Sequence, residues 1–139
     1  MSGKRYKPNS QEIIYQLIDG EYILLNLSNG NYFSLDNLGV LVWECVTNSV
    51  PAEALISAIA ESLTDTSDKI TESVSSVFDS LLNEGLSIPA DDETTFPAGF
   101  VSEVKSRISN GEVSLQPAKL HAYKNIQEKY AHPCGVKEI

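Results

Sequence analysis

The chain has 139 residues, with 19 acidic against 10 basic side chains and a formal charge of −9, a length that suits one domain plus an extension and excludes a second full domain. Hydrophobic residues make up 42% and charged residues 21%, the balance of a fold that buries a modest core. Cys45 and Cys134 are too far apart, and too poor in neighbouring ligands, for a disulfide framework or a zinc site. No apolar stretch approaches the ~20 residues that cross a bilayer and no signal-peptide region follows the N-terminus, so the expected location is cytoplasmic, with no membrane contact.

The charge is divided unevenly. Residues 1–7 carry Lys4, Arg5 and Lys7; residues 8–93 carry fifteen acids against Lys69 alone, for −14; residues 94–139 carry six basic and four acidic side chains. Such a body repels a phosphate backbone, so no nucleic-acid partner is expected, and it attracts a basic peptide. The chain's own C-terminal part is a mildly basic segment of that kind.

Residues 1–10 read as a flexible N-terminus. From Glu12 to Leu35, three short runs rich in Ile, Leu, Tyr and Phe are separated by Asp19-Gly20 and Asn29-Gly30. Both dipeptides supply the positive φ of tight hairpins, so the expectation is an antiparallel meander over about 12–18, 21–27 and 31–35. Its single apolar face needs a cover. Asp36 can cap a first helix facing inward through Leu38, Leu41, Val42 and Cys45 or Val46, with Trp43 to one side; Gly39 is tolerated there at ~1 kcal/mol relative to Ala and marks close packing. Asn48-Ser49 ends this helix, and Pro51 opens a second over about 52–62, with Leu55, Ile56, Ile59 and Ala60 on one face. Thr64 to Ser67 is a polar break. A third helix from about Asp68 aligns Ile70, Val74, Val77 and Leu81, widened by Phe78 and Leu82, and Gly85 caps it, after which Leu86 and Ile88 fold back onto the core. The fold class is α+β: a three-stranded antiparallel sheet followed by three helices over residues 11–89, with an extended C-terminal tail.

Residues 90–116 read as a linker, in which Val101, Val104 and Ile108 form either a short amphipathic helix or a packing strip ended by Asn110-Gly111. In the tail, residues 117–139, Pro117 is followed by Leu120, Tyr123 and Ile126 at spacing three. The tail has too few apolar residues to fold alone; it packs on the body, binds a partner or stays disordered.

Little here supports catalysis. His121 and His132 have no carboxylate or cysteine at a ligating spacing apart from Cys134, Asp91-Asp92 sits in the linker, and no phosphate loop, nucleophile elbow or framework carboxylate pair is present. No enzyme activity, metal or cofactor is expected. Binding remains. The third strand, Asn31-Tyr32-Phe33-Ser34-Leu35, lies at the edge of the meander, and an edge strand beside a helix forms a groove for an extended peptide.

Four stretches then form one pattern: Leu24-Leu25-Asn26-Leu27; Gly30-x-Tyr32-Phe33-x-Leu35-Asp36; Gly39-Val40-x-Val42-Trp43; and Leu81-Leu82-x-Glu84-Gly85-Leu86. Together, over roughly residues 10–88, they resemble the PqqD-like family, the RiPP recognition elements of ribosomal peptide-modifying systems; Asn29 and Phe33 depart from the pattern without disturbing the fold. The resemblance implies a winged helix-turn-helix-like fold without catalysis of its own. It also implies that a precursor's leader peptide binds as an added strand on the third strand, in a groove against the third helix, and is presented to a modifying enzyme such as a radical SAM enzyme, protease or cyclase. Carried onto this chain, the groove is lined by Asn31, Tyr32, Phe33, Ser34 and Leu35 and by Ser75, Phe78, Asp79 and Leu82.

The tail from Pro117-x-Lys119-Leu120 through Tyr123 and Ile126 to His132-Pro133 is similar to a segment of leader peptides, with His132 replacing an acidic residue and Lys124-Asn125 a more acidic pair. This makes Pro117, Leu120, Tyr123 and Ile126 candidates for a self-ligand, docked within one subunit or exchanged in a homodimer. Two other readings stand beside the peptide-binding one: a recognition element fused to its own precursor and modified near its C-terminus at Cys134, and a winged-helix DNA binder, which the acidic body disfavours.

Overall fold

Asp19 and Gly20, at φ 52° and 83°, and Gly30, at φ 79°, take the left-handed conformations that reverse the chain tightly. The computed structural model describes residues 5–62, 69–90 and 99–123. In chain order the elements are β1 (Tyr6–Pro8), β2 (Ile13–Ile18), β3 (Glu21–Asn26), β4 (Tyr32–Leu35), α1 (Leu38–Asn48), α2 (Ala52–Ser62), α3 (Lys69–Asn83), β5 (Ser87–Pro89), α4 (Phe100–Ser109) and β6 (His121–Tyr123). The expected meander is there as β2, β3 and β4, with Tyr15 opposite Leu24 and Leu24 opposite Phe33. Its second reversal is wider than a two-residue turn. Asn26 Oδ1 accepts the Ser28 N–H at 2.8 Å, and the Asn26 N–H donates to the Asn31 carbonyl at 2.8 Å.

Leu24, Phe33 and Leu35 put one face of the sheet into the core, which α1 fills from the other side. Every residue of α1 from Leu38 to Val46 except Glu44 is buried, so this is the central helix. Close approach at its start is possible because residue 39 is glycine: a Cβ there would lie 3.0 Å from Leu35 Cδ2. The α1 N-cap is Asn37, which makes no side-chain cap bond, in place of the expected Asp36; Asp36 contributes its backbone carbonyl to the Gly39 N–H at 2.8 Å. In α3, Val74, Val77, Phe78 and Leu81 make the buried stripe. Gly85 ends the helix at φ 76°, and the Leu86 N–H reaches back to the Leu81 carbonyl at 2.9 Å.

Three features depart from the sequence-based fold, and the winged helix-turn-helix arrangement of three strands and then three helices is not matched. First, residues 6–8, expected to be flexible, form β1 against β5. The reason is burial: Tyr6 is 4% exposed and its ring stacks on Phe78 at 5.4 Å. Asn9 fastens the same strand through Nδ2 to the Gly85 carbonyl at 2.9 Å, and Arg5 donates to the Ser49 carbonyl at 3.0 Å, where the end of α1 favours a cation. Second, of the two alternatives for Val101, Val104 and Ile108 the structure has the short helix, α4, which buries Phe100 and Val104 and packs on α2 as a fourth helix beside the three of the body. Third, the sheet has four strands, in the order β2-β3-β4-β6. The polar break at 64–67 lies outside the described residues.

Candidate functional site

The strand on which the sequence placed a docking edge has a neighbour on that edge. β6 runs antiparallel to β4, with Tyr123 opposite Tyr32, Ala122 opposite Phe33 and His121 opposite Ser34. Side chains alternate along a strand, so Tyr32 and Ser34 project on the face away from the core that Phe33 and Leu35 enter. Tyr32 is nevertheless buried, and the Tyr123 ring stacks on it at 5.0 Å. At the other end of the pair, His121 Nε2 lies 3.8 Å from Asp36 Oδ1.

The chain reaches this edge along a route fixed at several points. Arg107, near the end of α4, donates to Glu44 on α1 at 2.7 Å and to Glu112 at 3.1 Å. Burial works against the guanidinium charge, but the Glu44 hydrogen bond and the charges of Glu44 and Glu112 outweigh it and raise the Arg107 pKa. Val113 is buried in the core just beyond. Leu115, Ala118 and Leu120 then lie partly buried against the core, and the Ala118 N–H donates to Ser73 Oγ on α3 at 2.8 Å. The Ser73 hydroxyl itself donates to the Ile70 carbonyl at 2.6 Å, so its oxygen is turned to receive the passing backbone. Residues 118–123 thus cross from α3 to the edge of β4.

Of the expected strand residues, Tyr32 to Leu35 form β4, and Asn31 closes the preceding loop by accepting the Asn26 N–H. On the helix side, the expected residues and the crossing segment lie on different faces of α3. The segment meets α3 at Ser73, whereas Ser75 lies ~200° round the helix from it at ~100° per residue, and Phe78, Asp79 and Leu82 fall on the same far side. Phe78 is a core residue stacked on Tyr6, whose hydroxyl pKa is raised by burial and then by the charge of Asp79. Phe78 and Asp79 therefore face the β1 side of the molecule. The sequence signal that separates the two faces is the apolar Tyr6, which the reading of residues 1–10 as flexible passed over.

Among the tail candidates, Leu120 packs against the core and Tyr123 stacks on Tyr32, Pro117 is exposed, and Ile126 lies outside the described residues. Among the described residues no cluster of His, Cys, Asp and Glu could hold a metal ion, and no helix is long and apolar enough to cross a membrane. In this arrangement the segment has backbone pairing along β4, a hydrogen bond to the Ser73 hydroxyl of α3, and Leu115, Ala118 and Leu120 on the margin of the core. Edge-strand pairing of this kind is one way in which an extended peptide is held by its main chain and by alternate side chains.

The family model described as Coenzyme PQQ synthesis protein D (PqqD) matches residues 21–86, which run from the first residue of β3 to the residue after the α3 cap. No curated protein and no solved structure matches the chain.

Proposed function

We propose that the chain, which the family model matches over residues 21–86, acts as a PqqD-like RiPP recognition element and binds a ribosomally made precursor peptide by strand addition on β4. The family is one of non-catalytic accessory domains that bind precursor peptides in peptide natural-product biosynthesis and work with modifying enzymes such as radical SAM enzymes. On this reading the chain carries out no chemistry itself and holds the leader for an enzyme that does, a radical SAM enzyme, protease or cyclase. Asn31 to Leu35 supply the strand side of the groove and the Ser73 face of α3 the helix side.

The observation that carries this reading is the pairing of β4 with β6: the edge accepts an antiparallel strand, drawn here from outside the family-matched segment. Main-chain bonding gives such a site affinity, and the alternating positions give it selectivity. The acidic body favours a basic or neutral peptide over nucleic acid.

The test is a two-dimensional NMR titration of the full chain with the precursor peptide encoded beside its gene. The shifted amides should cluster at 31–35 and around Ser73. Shifts confined to the turn at 19–20 and the α4 surface would refute strand addition at β4.

A further inference from the structure

Resting on the reading of the β4 edge as a peptide site, we propose that residues 115–123 are a tethered occupant of that site, a strap that an incoming precursor peptide must displace. The segment lies outside the family-matched residues 21–86, so it is an addition to the recognition domain rather than part of it. It also touches both walls of the groove at once, through the Ala118 N–H on Ser73 Oγ and through the three-residue pairing with β4.

The strap is anchored firmly at one end and weakly at the other. Its upstream end is held by the burial of Phe100, Val104 and Val113 and by the Arg107–Glu44 pair at 2.7 Å. Its downstream end is held by three residue pairs of sheet, one ring stack and Leu120 on the margin of the core. Short, marginally packed pairings of this kind open at far lower free energy than a core. Opening of β6 leaves α4 in place, and the freed strand stays near its groove.

That tether sets the selectivity. A segment held a few residues from its site has an effective concentration on the order of 1 mM. If its intrinsic affinity is ~10 μM, a competing peptide is weakened by ~100-fold, and only a peptide with better contacts takes the edge. The β6 register describes what such a peptide presents: an aromatic ring opposite Tyr32, a small residue opposite Phe33, and an aliphatic anchor two positions before the small residue, where Leu120 sits.

The experiment uses the full chain and a fluorescein-labelled synthetic peptide of residues 113–126 as probe. Fluorescence anisotropy is measured for the wild type, for L120A/Y123A, and for Y123A, which leaves the core contact of Leu120 intact. L120A/Y123A should bind the probe at least tenfold more tightly than the wild type, with Y123A between them. Equal, measurable affinity for all three chains overturns the strap and leaves strand addition at β4 standing. Absence of binding to any of them also overturns the strap, because a vacated edge would take its own segment back from solution; strand addition is then decided separately by the titration with the precursor.

Discussion

Tyr123 stands directly opposite Tyr32 across the β4–β6 pair, their rings stacked at 5.0 Å with planes 24° apart. Isolated short strand pairs are marginal in water, and an aromatic cross-strand pair adds about 0.5–1.5 kcal/mol beyond its burial. Much of what holds a three-residue strand in place therefore comes from one pair of rings. In Y123A, amide exchange along β4 should accelerate about five- to tenfold while the core amides of α1 keep their protection. Hydrogen-exchange mass spectrometry or NMR reads both. Unchanged β4 exchange would mean that the backbone pairing stands without the rings.

Trp43 sits on α1 with none of its surface exposed, and the ring of Tyr15 meets it edge to face at 5.1 Å. Its Nε1 has no hydrogen-bond partner among the described residues, so its contribution is packing rather than a polar contact. Truncating a buried Trp costs about 3–5 kcal/mol, a large share of a small domain's stability. W43A should therefore lower the urea midpoint sharply. A wild-type midpoint with lost peptide binding would instead assign Trp43 to the ligand.

Tyr6 tests whether the N-terminal strand is structural. Y6A removes a buried ring stacked on Phe78 and should cost about 2–4 kcal/mol by thermal or urea unfolding. K7A, on the neighbouring exposed position, should stay within about 0.5 kcal/mol of the wild type. Equal midpoints for the two variants would return residues 5–8 to a flexible arm.

Cys45 is buried, and desolvation first, with the charge of Glu44 second, pushes its thiol pKa far up. Burial likewise raises the Tyr6 and Tyr22 hydroxyls above 10.0. A group whose folded pKa is raised contributes stability that is complete below its unfolded pKa and is lost as pH climbs toward the folded value. The chain should thus hold its melting temperature up to about pH 7.5 and lose it progressively as the pH passes about 8.5, where an unfolded thiol is half ionised. In the C134S background, Cys45 should not react with a thiol reagent at pH 8 until urea unfolds the chain. Rapid labelling in the absence of urea would contradict this burial.

Local chemistry by itself determined the meander, the three central helices and the glycine that ends the third. Asp19-Gly20 and Gly30 are positions where a turn needs positive φ, Gly85 is a cap, and the apolar spacing of Val74, Val77, Phe78 and Leu81 is a helix stripe; each rule acts over a few residues and can be read from them. The sequence also determined that Tyr32 to Leu35 lie beside the last turn of the meander, and with them the strand half of the candidate site. Tertiary structure alone decided which partners the short strands take. β1 and β6 are three residues each, too short for a period-two signal, and each pairs with a strand about eighty to ninety residues away in the chain. It also decided the rotation of α3. That helix carries a single apolar stripe, and only the packing of Tyr6 on Phe78 and of Ala118 on Ser73 fixes which flank of the stripe looks toward β1 and which toward the crossing segment. Contacts between distant residues depend on how whole elements dock, and that information is spread over the core rather than written in any local run of residues.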